Sequence, residues 1–280
     1  MSKPTGIDFA LNHMVAPSLP VAGLLDLAAR LGLSAIEVRN DLAGTETMVR
    51  APKGLSPDAI GAEARRRGIR ILSINGLQRF NDWGEARARE AAACARECRA
   101  CGAEALVLVP VNDRGFRPTA AETARGLRAA LKGLAPILAD NGILGYVEPL
   151  GFEECSLRSK ARAIEAIDDV GEGKRFKLVH DTFHHHVAGD PALFAERTGL
   201  VHISGVSDPK VDASSMRDPH RVLIDAGDRI DNAGQINALL RAGYAGPLSF
   251  EPFAASVHAC KDIGSDLEAS IRWTRQAIAL

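Results

Sequence analysis

A chain of 280 residues is long enough for one α/β barrel or for two smaller domains, and with 46% hydrophobic and 25% charged residues it has the make-up of a globular protein with a large core. Thirty-four Lys and Arg against 35 Asp and Glu leave a net charge of −1, which excludes a global field that would draw nucleic acid or an anionic membrane. No apolar run follows the Lys of the opening Met1-Ser-Lys-Pro-Thr-Gly, none approaches the ~18 residues of a membrane span, and Cys94, Cys98 and Cys101 sit at helical spacing, so a cytoplasmic protein with reduced thiols, no signal and no span is expected.

In chain order, eight short apolar runs alternate with amphipathic segments. The runs end near Asn12, Arg39, Asn75, Pro110, Glu148, Asp181, Ser204 and Glu251. Helices are expected near 20–31, 56–67, 84–101, 119–140, 157–168, 190–197, 232–242 and 264–278, with start signals at Ser56-Pro57-Asp58, Thr119 with Glu122, and Asp190-Pro191. Gly32, Gly68, Gly102, Gly142 and Gly243 each stand between a helix end and a strand, where a left-handed residue is needed. The strand runs are nearly continuous in apolar residues, as in a parallel sheet buried on both faces.

Eightfold βα alternation predicts an α/β fold, a single (β/α)8 TIM barrel filling residues 1–280. The alternative, a doubly wound open sheet, lacks its usual G-x-G-x-x-G after the first strand. Two connections fall on the C-terminal face of such a barrel: residues 204–231, too long for a plain link, and residues 40–55. Cys98-x-x-Cys101 has no second pair and closes a helix instead of opening one, which reads as plain packing.

Polar residues at strand C-terminal ends carry the chemistry of a barrel. Glu148, Asp181, His202 and Glu251 project into one mouth from strands five to eight. Three carboxylates in an apolar mouth repel one another unless a cation neutralises them. Three oxygen donors and one imidazole suit one divalent metal ion, Mn²⁺, Mg²⁺, Co²⁺ or Zn²⁺. Singly, a strand-end Glu often serves an ion pair and a lone His is often a satisfied core residue, but a core has no such use for all four together. His184, three residues past Asp181, turns towards the same ligand; His186 has the alternate parity and joins it, while His185 points away.

The stretches IEVR (36–39), INGLQRFN (74–81), LVLVPV (106–111), VEPLG (147–151), DTFHHHVAG (181–189), VHIS (201–204), HRVLIDAGDRID (220–231) and SFEPF (249–253) run from early in the chain to its last strand. On these the chain resembles the xylose-isomerase-like TIM-barrel superfamily of sugar isomerases and epimerases, and within it the inosose (2-keto-myo-inositol) isomerases. The resemblance implies a metal on Glu148, Asp181, His202 and Glu251, a substrate-contacting His184, a second His at His186 and a loop arginine at Arg221. One departure stands out: Ser204-Gly205 replaces an acidic residue common in relatives, and the loop after it is longer.

The function so implied is metal-dependent isomerisation of a small sugar or cyclitol ketone, with a place in inositol catabolism. A proton would pass between neighbouring carbons through a cis-enediolate. Glu148 or Glu251, each with one free oxygen, would move it, and His184 would steady the charge. Arg39, Asn75, His186 and Arg221 are candidates for fixing hydroxyls, and Phe80, Trp83 and Phe253 for walling the pocket. Ketose 3-epimerisation and inosose dehydration are alternatives on the same site. An AP-endonuclease-type repair nuclease needs two or three metals and extra His where this chain has Arg39 and Pro110. A retaining glycosidase would leave Asp181 and His202 without work, and a non-catalytic sugar-binding barrel would bind without turnover. Barrels of this type often pair as a homo-oligomer, yet the sequence carries no interface signature.

Overall fold

The computed structural model describes residues 7–42 and 55–278. Strands β1 (Phe9–Asn12), β2 (Ala35–Arg39), β3 (Arg70–Gln78), β4 (Ala105–Val109), β5 (Leu144–Val147), β6 (Phe176–Asp181), β7 (Thr198–Ile203) and β8 (Leu248–Phe250) each pair with the next. All pairs are parallel, and β8 returns to β1 with Ala10 opposite Ser249. The helices are α1 (Val21–Arg30), α2 (Pro57–Arg66), α3 (Glu85–Cys101), α4 (Ala120–Asn141), α5 (Lys160–Asp169), α6 (Thr182–Ala188), α7 (Asn232–Arg241), α8 (Ala255–His258) and α9 (Ile263–Ala277). The closed ring is the expected (β/α)8 barrel, and an open sheet is excluded.

Local signals account for most helix ends. Ser56 accepts from the Ala59 amide at 3.3 Å, and Thr119 and Glu122 cap each other at 3.2 and 2.8 Å. The five glycines that separate helix from strand all adopt positive φ, from 66° at Gly32 to 94° at Gly243.

Strand alternation sorts the barrel into two layers. Phe9, Leu11, Ile36, Val38, Leu106, Leu108, Leu178, Ile203 and Phe250 face outward and pack with the helices. Ala10, Ala35, Ala105, Val107, Tyr146, Val179 and Leu200 face inward and fill the barrel. Space there is tight: a Cβ on Gly199 would lie 2.6 Å from Tyr146 Cε1. The parity that turns Ala35, Tyr146, Val179 and Leu200 inward also turns Glu37, Arg39, Glu148, Asp181 and His202 inward. All five are buried at the upper end of the barrel.

The sixth helix differs from expectation. Residues 190–197 form only a 3₁₀ turn at Ala195–Arg197, and the helix is α6, starting directly after β6. Asp181 is the reason: its Oδ1 accepts from the amides of Phe183 at 2.8 Å and His184 at 3.0 Å, a helix cap. The carboxylate of Asp190, which reads as a cap in sequence, instead holds the amides of Ala192 and Lys160 at 3.0 and 3.1 Å in a loop. Helix α5 starts at Lys160, later than expected, because Leu150 and Ser156 are spent on backbone bonds to Leu157 and Val111. Of the 40–55 connection, residues 43–54 lie outside the described residues. The 204–231 connection is described throughout and is pinned by an antiparallel bridge between Gly205 and Val222.

Cys94, Cys98 and Cys101 are buried free thiols on the inner face of α3, and burial pushes Cys94 up to about 12 and Cys101 to about 11. They pack as small apolar groups. No helix among the described residues is long and apolar enough to cross a membrane.

Lys160, 4% exposed, ties α5 to the end of α6: its Nζ bonds Ala192 O at 3.2 Å and touches His185 Nδ1. Burial lowers its ammonium to about 8 from an ordinary 10.5, and burial together with Lys160 lowers His185 to about 4. The unfolded chain therefore keeps the lysine proton to higher pH than the fold does, and the fold gains stability as pH rises from about 8 to 10.5, with none of that gain left below about 8. Urea unfolding at matched pH is expected to show wild type gaining on Lys160→Met across this window, by up to about 3 kcal/mol.

Candidate metal centre

Glu148 and Glu251 stand one residue past β5 and β8, Asp181 ends β6, and His202 lies in β7. One ligand atom from each of the four comes within 4.8 Å of the others, and all four residues are buried. His202 Nδ1 faces the carboxylates, 2.9 Å from Glu148 Oε1, 3.3 Å from Glu251 Oε2 and 3.9 Å from Asp181 Oδ2. Its other nitrogen, Nε2, faces Glu37 at 3.1 Å.

Two guanidinium groups share the mouth. Arg221, 1% exposed, places Nη2 at 2.6 Å from Asp181 Oδ2 and 3.0 Å from Glu251 Oε2, while its Nε donates to Ser204 Oγ at 2.9 Å. Arg39 places Nη1 2.7 Å from Glu251 Oε1 and holds Asp41 through Nε and Nη2 at 2.8 Å each. Asn75 Nδ2 adds a bond of 3.2 Å to Glu251 Oε1. Ser204, where the sequence departs from the resemblance, thus serves as the rest for the Arg221 side chain.

The two glutamates end up in different electrostatic states. Burial alone would raise Glu251, but His202, Arg221 and Arg39 outweigh it and hold the carboxyl well below its ordinary range. Glu148 is raised, chiefly by burial, with Glu251 and Asp181 adding to it against His202. Its Oε1 meets His202; its Oε2 has no hydrogen-bond partner among the described residues. The expectation that Glu251 also keeps an oxygen free does not hold in this structure, because cations and an amide occupy both. For His202, burial favours the neutral ring, yet Glu251, Glu37 and Glu148 together raise it well above the usual histidine value.

His184 lines the same cavity, held edge-on by Phe152 at 5.0 Å and Phe183 at 5.3 Å. The Gly151 amide donates to its Nδ1 at 3.2 Å, which fixes Nε2 as the N–H of a neutral ring. The cavity measures about 340 Å³, within the ~300–1,000 Å³ of small-molecule sites. Arg39, Asn75, Glu148, His184, Arg221 and Glu251 line it, as does Phe253, whose ring lies 4.5 Å from the Arg221 guanidinium carbon and 5.5 Å from that of Arg39.

Three expected residues lie elsewhere. His186 does not line the cavity; it is half-buried beside Asp228, Arg229 and Asp231. The alternation reading assumed extended backbone, but in the helix α6 a step of two residues turns a side chain to the far side from His184. Phe80 is fully buried in the outer core, and Trp83 packs on α4, where its ring fills the space a Cβ on Gly133 would need. Glu37, by contrast, is a site residue that sequence reading passed over. Its signal was available: it precedes Arg39 by two in a strand, so both face the barrel interior.

The donor set fits a divalent cation: three carboxylate oxygens and one imidazole nitrogen, converging, buried and flanked by groups that orient them. Among the described residues it is the one such group. Binding would displace the proton that the surrounding acids favour on His202, so affinity is expected to strengthen as pH rises. Mn²⁺ at a hundred times its dissociation constant is expected to stabilise the fold by about 2.7 kcal/mol in thermal unfolding. Asp181→Asn, which keeps an oxygen for capping α6 but loses the charge, is expected to abolish most of that shift.

Comparison with known proteins places the chain in a family. A family profile described as xylose isomerase-like TIM barrel matches residues 25–277. A xylose isomerase domain containing protein from Salmonella typhimurium LT2 is 30% identical with a TM-score of 0.86, over 98% of this chain and 99% of that one. The chain is also similar in fold to the IolI protein with a binding zinc atom, at 21% identity, TM-score 0.84 and coverage of 97% and 98%. A third likeness in fold is to D-psicose 3-epimerase with D-tagatose from Clostridium cellulolyticum H10, at 15% identity, TM-score 0.74 and coverage of 98% and 100%. No curated protein sequence matches the chain. The profile match over most of the chain, with a 30% identical relative of the same length, shows that the chain belongs to the xylose isomerase-like TIM barrel family.

Proposed function

We propose that this protein is a divalent-metal-dependent isomerase of a polyhydroxy ketone, most simply of the inosose type, working by 1,2-proton transfer through a cis-enediolate. The observation that carries it is the asymmetry between the two glutamates: Glu148 has an oxygen without a partner facing the cavity, and Glu251 has none. One free carboxylate beside a metal-type donor set is the equipment of one-base chemistry. The zinc named for the IolI structure supports a cation on Glu148, Asp181, His202 and Glu251, of which Mn²⁺, Zn²⁺, Co²⁺ and Mg²⁺ all suit the donors.

A divalent cation there would draw a carbonyl and its neighbouring hydroxyl oxygen together and acidify the C–H of the hydroxyl-bearing carbon. Glu148 Oε2 takes that proton and delivers it, on the same face, to the former carbonyl carbon. The hydroxyl proton passes to the former carbonyl oxygen, so the ketone moves by one carbon and no atom is gained or lost. His184 donates its Nε2–H to the oxygen on which charge grows, and being neutral it does so without giving the proton up. Arg39, Asn75 and Arg221 line the cavity with donors for hydroxyls, and the Phe152 and Phe253 rings keep water from the enediolate.

A 3-epimerase reading, which the D-psicose 3-epimerase likeness raises, needs proton delivery to the opposite face. Glu251 is the residue for that task, and Arg39, Arg221 and Asn75 leave it little basicity. An inosose dehydratase would use the same first step with a hydroxyl leaving. The balanced charge, and a single metal-type donor group among the described residues, argue for a small-molecule substrate and against a multi-metal nuclease.

Inososes and ketoses incubated with protein and Mn²⁺ in deuterated water, followed by NMR, are expected to show the ketone shifted to a neighbouring carbon with deuterium at the adjacent position. Inversion at one carbon with the ketone unmoved would favour the epimerase instead. Glu148→Gln is expected to lower turnover by about 10²–10⁴. Full activity in excess chelator, or an unchanged Glu148→Gln, would overturn the proposal.

A further inference from the structure

Glu37 is a fully buried charged group in the barrel and takes no part in the chemistry above. It lies in the middle of β2 and does not line the cavity described above. Both oxygens are engaged by donors from other strands. Oε1 accepts from Ser249 Oγ in β8 at 2.5 Å and from Asn12 Nδ2 in β1 at 3.3 Å. Oε2 accepts from Ser73 Oγ in β3 at 2.7 Å and lies 3.1 Å from His202 Nε2 in β7. Side chains of five strands thus meet at one carboxylate, directly beneath the imidazole that faces Glu148, Asp181 and Glu251.

A buried carboxylate is costly unless its hydrogen bonds are complete, and here three of the four partners are neutral donors whose positions the barrel strands fix. The consequence falls on His202. A rigidly held acceptor at Nε2 orients the ring and keeps an N–H on that nitrogen, so Nδ1, which faces the three carboxylates, is the nitrogen whose lone pair a cation would take.

We infer that Glu37 is a positioning residue for the metal centre: held by Asn12, Ser73 and Ser249, it fixes the tautomer and the ring plane of His202 and thereby sets the affinity of the site for a divalent cation. The inference rests on the cation reading of the site and adds a residue to it. It makes Glu37 act only through His202, with no contact to substrate. A carboxylate retained merely for folding would leave cation affinity and tautomer untouched when replaced by an isosteric amide.

The test uses the full-length protein and Zn²⁺ alone as probe. In wild type loaded with Zn²⁺, nitrogen-15 NMR of the histidine rings is expected to show His202 protonated at Nε2 and bare at Nδ1; the reverse pattern overturns the inference and needs no variant. Glu37→Gln keeps the size of the side chain and a partner for each serine. Chelator competition is expected to give it a Zn²⁺ affinity lower by about ten- to a hundredfold, with the circular dichroism spectrum of wild type. An affinity within twofold of wild type overturns the inference alone, leaving the cation site standing. A wild type that takes up no Zn²⁺ overturns both this inference and the metal reading on which it rests.

Discussion

Negative charge that cannot escape to water organises the upper half of this barrel. Strand parity drives Glu37, Glu148, Asp181 and Glu251 inward at four points on the ring, and the outer helices remove the solvent that would screen them. The charge that answers it is positive and equally buried: Arg39 from β2, Arg221 from the loop after β7, and the imidazole of His202 between them. The loop path, the β2 end and the helix α6 all depend on how these groups meet. Asp181 illustrates the economy of the arrangement, since one oxygen caps α6 while the other receives Arg221.

Distributing the cations unevenly gives the two glutamates different chemistry from a nearly symmetric position. Both come directly after a strand end and both precede a proline, at Pro149 and Pro252. Glu251 is surrounded by two guanidiniums and an amide; Glu148 meets only the imidazole. The difference resides entirely in residues contributed by other strands and the long loop. On the proposed reading, the direction in which a proton travels would be altered in this protein by changing an arginine while the ligand set is left alone.

Much of this was legible in the sequence, for reasons that are local. Apolar runs set off by a positive-φ glycine mark strands, and the eightfold alternation leaves few architectures open. Glu148, Asp181, His202 and Glu251 stand out because an acid or an imidazole at the end of an apolar strand has no packing use. The features that were not legible depend on distance or on a local competition. Glu37 sits within an apolar strand and gains meaning only when His202, 165 positions later, is placed opposite. The engagement of Glu251 by Arg39 spans 212 positions. His186 was misplaced because one side chain, that of Asp181, converts an expected turn into a helix and rotates the residues after it.

The loop of residues 204–231 is tied at two places close together in space: the Gly205–Val222 bridge, and Arg221 locked between Ser204, Asp181 and Glu251. Between them, residues 206–220 make an excursion that itself helps to hold Arg221: Asp218 accepts from the Arg221 amide at 2.9 Å and pairs with its guanidinium at 3.4 Å, while Val206 and Met216 are buried with Phe152 and Phe183. It includes exposed positions such as Asp208, Lys210 and Asp212 around a 3₁₀ turn. Those exposed side chains make none of the contacts that hold the arginine, and can change without moving it. The loop is thus divided in its freedom: sequence can drift at its exposed tip, while Asp218 and the buried Val206 and Met216 are bound to the charge balance beneath.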